Sequence, residues 1–165
     1  MKIHIPSYDE REEIGTEIII HPWDTWSMDH TLAMIILPML KQLKETKHGS
    51  PMVDDCDVPE YMRCNDPESE SFWEESEPGN VHERWDWVMN EMIWTFEQKN
   101  RDWWEEDYII EQGEIDSDTE ADEDDTVELK WKKEHVVDRD GQKAHQERMN
   151  NGFRLFGKYY EGLWD

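Results

Sequence analysis

Lys44, Lys47, His48, Arg84, Arg148, Arg154 and Lys158 stand out in this chain because cations are scarce in it. Seventeen Lys and Arg are set against forty-two Asp and Glu, a formal charge of −25 on 165 residues. Gathered beside aromatic side chains, with Tyr159 among them, these groups would suit a small anionic nucleotide ligand. Guanidinium and ammonium groups would hold its phosphates while a Trp or Tyr ring stacks its base. The plainer reading is that each cation is matched to one of the abundant carboxylates. Lys41, Lys44, Lys47 and His48 also have a second plain role, since cations near a helix C-terminus offset its dipole.

Other chemistries find little support. The Asp54-Asp55-Cys56-Asp57 run lacks the glycine and the terminal glutamate of an EF-hand loop. No Glu-x-x-His pair and no His-Glu-x-x-His is present, and Cys56 and Cys64 have no partners at zinc spacing. No nucleophile elbow, P-loop or dinucleotide fingerprint occurs. The expectation is therefore a protein that is not an enzyme, with no catalytic residue, no metal and no cofactor. His30, His48, His82 and His145 read as structural or surface residues.

The acid itself is the alternative source of function. A carboxylate-covered fold can imitate the phosphate array of duplex DNA and occupy the groove of a basic host protein. Its charge opposes direct nucleic-acid binding and attachment to an anionic membrane. Mimicry needs rigid spacing, and here the acid falls partly in blocks. Residues 54–86 hold twelve acidic residues and two basic ones, and residues 102–128 hold fourteen and none.

The elements that must position these groups can be read from periodicity. In residues 82–98, Trp85, Val88, Met89, Met92 and Phe96 fall on one stripe of a helix predicted over about 80–101. Trp87 and Trp94 sit about 180° away. A helix with large aromatics on both faces is either central or meets a partner chain, and a two-fold contact through Trp87 and Trp94 is the simplest cover. Homo-oligomerisation is thus expected. A second helix is predicted over about 28–46, N-capped by Ser27 or Asp29, apolar all round from Leu32 to Leu40 and hence buried in its first half, kinked at Pro38 and stopped by Gly49. A third is predicted over about 138–163, with His145, Met149, Phe153, Phe156, Tyr160 and Leu163 as its apolar stripe and Arg148, Arg154, Lys158 and Tyr159 on the other side. Gly152 lies on the same stripe, where a missing side chain permits close helix approach. Gly152, Gly157 and Gly162 each cost that helix up to about 1 kcal/mol, which a tertiary contact, a kink or a ligand must offset.

Residues 2–5 and 17–21 predict two short strands pairing as an antiparallel ribbon. Residues 104–110 and 126–132 could pair as a hairpin around a flexible acidic tip at 113–126. Residues 50–80, with Pro51, Pro59, Pro67 and Pro78, predict an irregular acidic loop. The whole reads as one α+β domain over 1–165: three long helices with small antiparallel β elements. No secretory signal is expected, and the longest apolar run is far short of a membrane span.

Four stretches resemble a family of uncharacterised accessory proteins of tailed bacteriophages, including marine phages. They are residues 24–49 (DTWSMDHTLAMIILPMLKQLKETKHG), 54–60 (DDCDVPE), 84–98 (RWDWVMNEMIWTFEQ) and 147–165 (ERMNNGFRLFGKYYEGLWD), nearly half of the chain. Cys56 stands where an acidic residue is expected in such proteins. The resemblance carries no catalytic residue. It implies a phage protein acting in the cytoplasm of the infected bacterium, where small accessory proteins often block host factors. Three readings stay open: a counter-defence protein that sequesters a nucleotide-derived immune signal, a DNA mimic that blocks a basic host protein, and a phage structural or assembly component.

Overall fold

The computed structural model describes residues 2–4, 15–63, 73, 79–115 and 131–164. It is an α+β fold built on three helices: α1 (Met28–Thr46), α2 (Val81–Lys99) and α3 (Arg139–Lys158). Helix α2 is central and packs against both α1 and α3. All five residues of its predicted stripe are buried, and Trp85, Val88, Met89 and Met92 are almost wholly removed from solvent. Each such side chain contributes roughly 1.5–3 kcal/mol relative to exposure. The core is completed by Ala33 and Leu40 of α1, Val53 and Val58 of the following segment, and Leu155 and Tyr159 at the end of α3.

The start of α2 is set by Asn80, whose Oδ1 accepts from the backbone N–H groups of His82 and Glu83. Glu83 reaches back to accept from the Gly79 N–H. Asp138 caps α3 by accepting from the Gly141 N–H. Ser27 stands at the N-cap of α1 but makes no capping hydrogen bond through its side chain.

Among the described residues, six short strands form three antiparallel pairs. Strands β1 (Lys2–His4) and β2 (Glu17–Ile19) make the predicted ribbon, with Ile3 opposite Ile18. The second predicted hairpin is displaced. Residues Trp104–Tyr108 are a 3-10 helix, not a strand, and pairing begins with β3 (Ile109–Glu111) against β6 (Val136–Val137). It resumes with β4 (Glu114–Ile115) against β5 (Trp131–Lys133). The acidic tip beyond residue 115, and much of the 50–80 loop, lie outside the described residues. The described part of that loop, up to residue 63, holds two 3-10 turns and two core valines rather than a loose strand of chain.

Three expectations need correction. The first half of α1 is not buried all round: Ala33 and Leu40 face the core, but Leu32, Met34 and Met39 are exposed. Among the described residues, α1 packs on α2 through one side. The buried line of α3 is Met149, Gly152, Leu155 and Tyr159, with Phe153 and Tyr160 exposed. Gly152 turns that face inward because its missing side chain admits Thr95; a Cβ there would lie 1.9 Å from Thr95 Oγ1. Finally, Trp87 and Trp94 are half-buried within the chain. Trp87 packs against the core, and Trp94 lies between His145 (ring centroids 5.0 Å apart) and Arg148 (3.8 Å above its ring). The second aromatic face of α2 thus has cover from within.

Candidate functional site

The cations singled out above are placed by their partners. Lys44 donates to Asn90 Oδ1 (2.5 Å) and Lys47 pairs with Asp86 (3.1 Å), so both tie α1 to α2. Arg148 of α3 forms a two-pronged pair with Glu91 of α2, at 2.7 and 2.9 Å. That pairing raises the guanidinium pKa further above its ordinary value. His48 is exposed at the end of α1. Arg84 is buried and donates to the carbonyls of Met62 (2.7 Å) and Val53 (2.6 Å), with Asp55 at 2.7 Å. It fastens the 53–62 segment to α2. These groups satisfy carboxylates, amides and carbonyls at several helix contacts and do not line a common cavity.

Arg154, Lys158 and Tyr159 converge on one acid, Asp57, which is buried. Arg154 Nη2 donates to its Oδ1 (2.6 Å), and Tyr159 donates to its Oδ2 (2.7 Å), beside Lys158 Nζ. The Tyr159 hydroxyl also accepts from the Asp54 N–H, and Lys158 reaches Asp54 Oδ2 at 2.6 Å. Burial pushes the Asp57 carboxyl up, but the hydrogen bonds from Lys158, Tyr159 and Arg154 outweigh it and hold the group down at about 2. Burial first, and then the bond to Asp57, push the Tyr159 hydroxyl up to about 12. Tyr159 is therefore a core residue, not the outward-facing ligand group expected. Among the described residues, Asp54, Cys56 and Asp57 bring three possible metal-ligating atoms within 4.8 Å of one another. Lys158 and Arg154 already supply the positive charge there. The cluster is a fastener between the 54–57 turn and the end of α3.

A different place in the fold is an open surface cleft. Where α2 ends, the chain turns through residues 100–103 and passes in front of α3, leaving an open cleft of about 660 Å³. Gln98 and Lys99 end α2, Arg101, Trp103 and Trp104 come from the turn, and Gln146, Met149 and Phe153 come from one face of α3. Asp102 and Glu105 line it as well. Lys99 pairs with Asp29 (2.5 Å) and Arg101 with Asp107 (2.6 Å). Each keeps further N–H donors, since an ammonium has three and a guanidinium five.

Two features give this cleft a fixed wall and a strained edge. Trp104 stacks on His145 (centroids 4.3 Å, planes 8° apart), and Tyr108 hydrogen-bonds His145 Nδ1 at 2.9 Å. His145 Nε2 is buried and makes no hydrogen bond. Burial, with Arg101 nearby, lowers the imidazole pKa, so the ring is neutral at pH 7 and serves as packing. Trp103, by contrast, is 75% exposed and has φ +59°, the only non-glycine positive φ among the described residues. A bulky side chain in the left-handed region costs about 1–3 kcal/mol, and such strain collects at ligand clamps. None of these residues was picked out from sequence as a ligand group. The available signal was the Trp103-Trp104 pair directly after a helix end, in an otherwise polar turn.

The chain matches no known family model, no curated protein and no solved structure.

Proposed function

We propose that the chain is a non-enzymatic binding protein and that the cleft at the end of α2 holds a small planar anionic molecule. One observation carries the reading. An exposed tryptophan is held in a strained conformation at the rim of a cleft that also presents Trp104, Phe153, Lys99 and Arg101. Aromatic faces suit a base, the two cations suit a phosphate, and Gln98 and Gln146 offer amides for hydrogen bonds to base edges. The volume falls in the usual range for small-molecule sites. A nucleotide-derived signal is the ligand class with all three features. The resemblance to phage accessory proteins makes sequestration of an immune signal in the infected bacterium the biological setting. The basic and aromatic groups are those of the cleft, not the set anticipated from sequence.

The test is thermal unfolding with cyclic nucleotides, linear nucleotides and short oligonucleotides, read alongside tryptophan fluorescence. A ligand at 100 times its dissociation constant should add roughly 2.7 kcal/mol of stability. Trp103→Gly should keep the fold, because glycine adopts positive φ at no steric cost, yet lose the shift. Lys99→Gln should weaken it. No shift with any of these compounds sinks the proposal. Capture of a basic DNA-binding host protein by a chain that ignores every nucleotide would favour the DNA-mimic reading, which rests on the net charge of −25.

A further inference from the structure

The outer side of α1 is apolar and is exposed among the described residues. Ala33 and Leu40 turn inward, whereas Met28 (55%), Leu32 (43%), Met34 (54%) and Met39 (62%) are exposed. At 100° per residue, Met28, Leu32, Ile35 and Met39 form one seam at i, i+4, i+7 and i+11, flanked by Thr31, Met34 and Pro38. This outer side carries no charged residue between positions 28 and 39. Asp29, the one acid in that stretch, pairs with Lys99 of α2, and His30 Nδ1 lies 3.3 Å from the Lys99 carbonyl. Just before the helix, Trp23 and Trp26 pack on each other (centroids 5.7 Å) and are 77% and 80% exposed.

We infer that this face is a two-fold interface between two copies of the chain, with α1 packed on α1 of the partner. Charge selects the occupant. Residues 15–48 hold four acidic and three basic residues, so nearly all of the −25 lies elsewhere. A second copy can meet this near-neutral face without bringing carboxylates together, which no contact between strongly acidic faces allows. A basic macromolecule would be drawn to the acid instead, because this face offers it no countercharge. The exposed side chains are also of the kind that interfaces favour: Met28, Leu32, Met34 and Met39 along α1, with two largely exposed tryptophans, Trp23 and Trp26, just before it. A 4-3-4 seam is self-complementary under a two-fold and has the spacing of helix pairs crossing near 20°. The interface inferred here lies on the outer side of α1, not at the Trp87 and Trp94 face expected from sequence.

The experiment is light scattering and sedimentation of the full chain between micromolar and hundred-micromolar concentration, in low and in 0.5 M NaCl. A dimer is expected, tighter in salt because the excess acid on both copies is then screened. Leu32→Glu and Met39→Glu should each give a monomer with an unchanged far-ultraviolet spectrum. Should either fail to fold, Met39→Gln should still weaken the dimer at least tenfold. A chain that stays monomeric throughout this range, or a dimer that survives Leu32→Glu with Met39→Glu, overturns the inference. So does binding of monomers to uncharged phosphatidylcholine vesicles, which would make a lipid surface the occupant.

Discussion

Asp57 is the residue whose environment says most about this chain. Among the described acids it is the one that is buried, and it is buried because Arg154, Lys158 and Tyr159 supply hydrogen bonds to both of its oxygens. Its folded pKa of about 2 lies below the unfolded value of 3.8. A depressed carboxylate contributes stability that is complete above about pH 4 and is lost as pH falls through the window down to 2. The shift corresponds to about 2 kcal/mol. Asp57→Asn should therefore lower stability at pH 7 by about that amount, and the variant should lose less than the parent between pH 5 and pH 2.5; urea midpoints at the two pH values measure both. Equal acid losses in the two chains would mean that Asp57 is not held as described. Nothing in the sequence marks this acid out. Its burial depends on residues about a hundred positions away, and a local pattern cannot see them. The Asp54-Asp57 run was legible only as an acid cluster; the structure adds the cations beside it, Arg154 and Lys158 from the end of α3 and Arg84 from α2.

At the scale of elements, periodicity located the helices well because their apolar stripes are strong. The stripe of α2 and its bounds came directly from Trp85, Val88, Met89, Met92 and Phe96. Periodicity was weaker at deciding which side of a stripe touches what. In α3 the buried line is rotated by about one residue from the expected one, onto Gly152, Leu155 and Tyr159, because a glycine lets two helices approach where a phenylalanine would hold them apart. The close approach at Gly152 was readable from its place on the stripe; the turn of the buried line onto Leu155 and Tyr159 was not, because spacing alone does not rank them against Phe153 and Tyr160. The two glycines of α3 that a Cβ probes most differently make the argument testable. Gly152→Ala drives a methyl into Thr95 and the Glu91 carbonyl, and should cost about 1–3 kcal/mol as overpacking. Gly157 has nothing within 4 Å of its Cβ position, so Gly157→Ala should add up to about 1 kcal/mol through helix propensity alone. Paired denaturation curves check the opposite signs. A further consequence concerns Trp94. Its ring is enclosed by His145 and Arg148, so Trp94→Glu should lower the melting temperature and leave the mass of the assembly unchanged.

For the whole molecule the governing quantity is the imbalance of charge. The described ion pairs use Lys41, Lys47, Arg84, Lys99, Arg101, Lys132, Lys133, Lys143, Arg148, Arg154 and Lys158, so the cations are largely committed and the surplus acid has few left to meet. Two salt effects then oppose each other. Screening weakens the exposed pairs, which are worth up to about 1 kcal/mol each. It also weakens repulsion among the surplus carboxylates, which acts over longer distances. The Debye length falls from about 10 Å at 0.1 M to about 3 Å at 1 M. Pairs closer than 3 Å are screened less over that range than like charges many ångströms apart, so repulsion should lose more. Stability should accordingly rise from 0.1 M to 1 M NaCl, and the same measurement on Leu32→Glu separates this effect from tighter dimerisation. Sodium is the right cation for it, because a divalent one could collect on the acidic segments. A melting temperature that falls with salt in Leu32→Glu would mean that the ion pairs, rather than the excess acid, dominate the electrostatics of the fold.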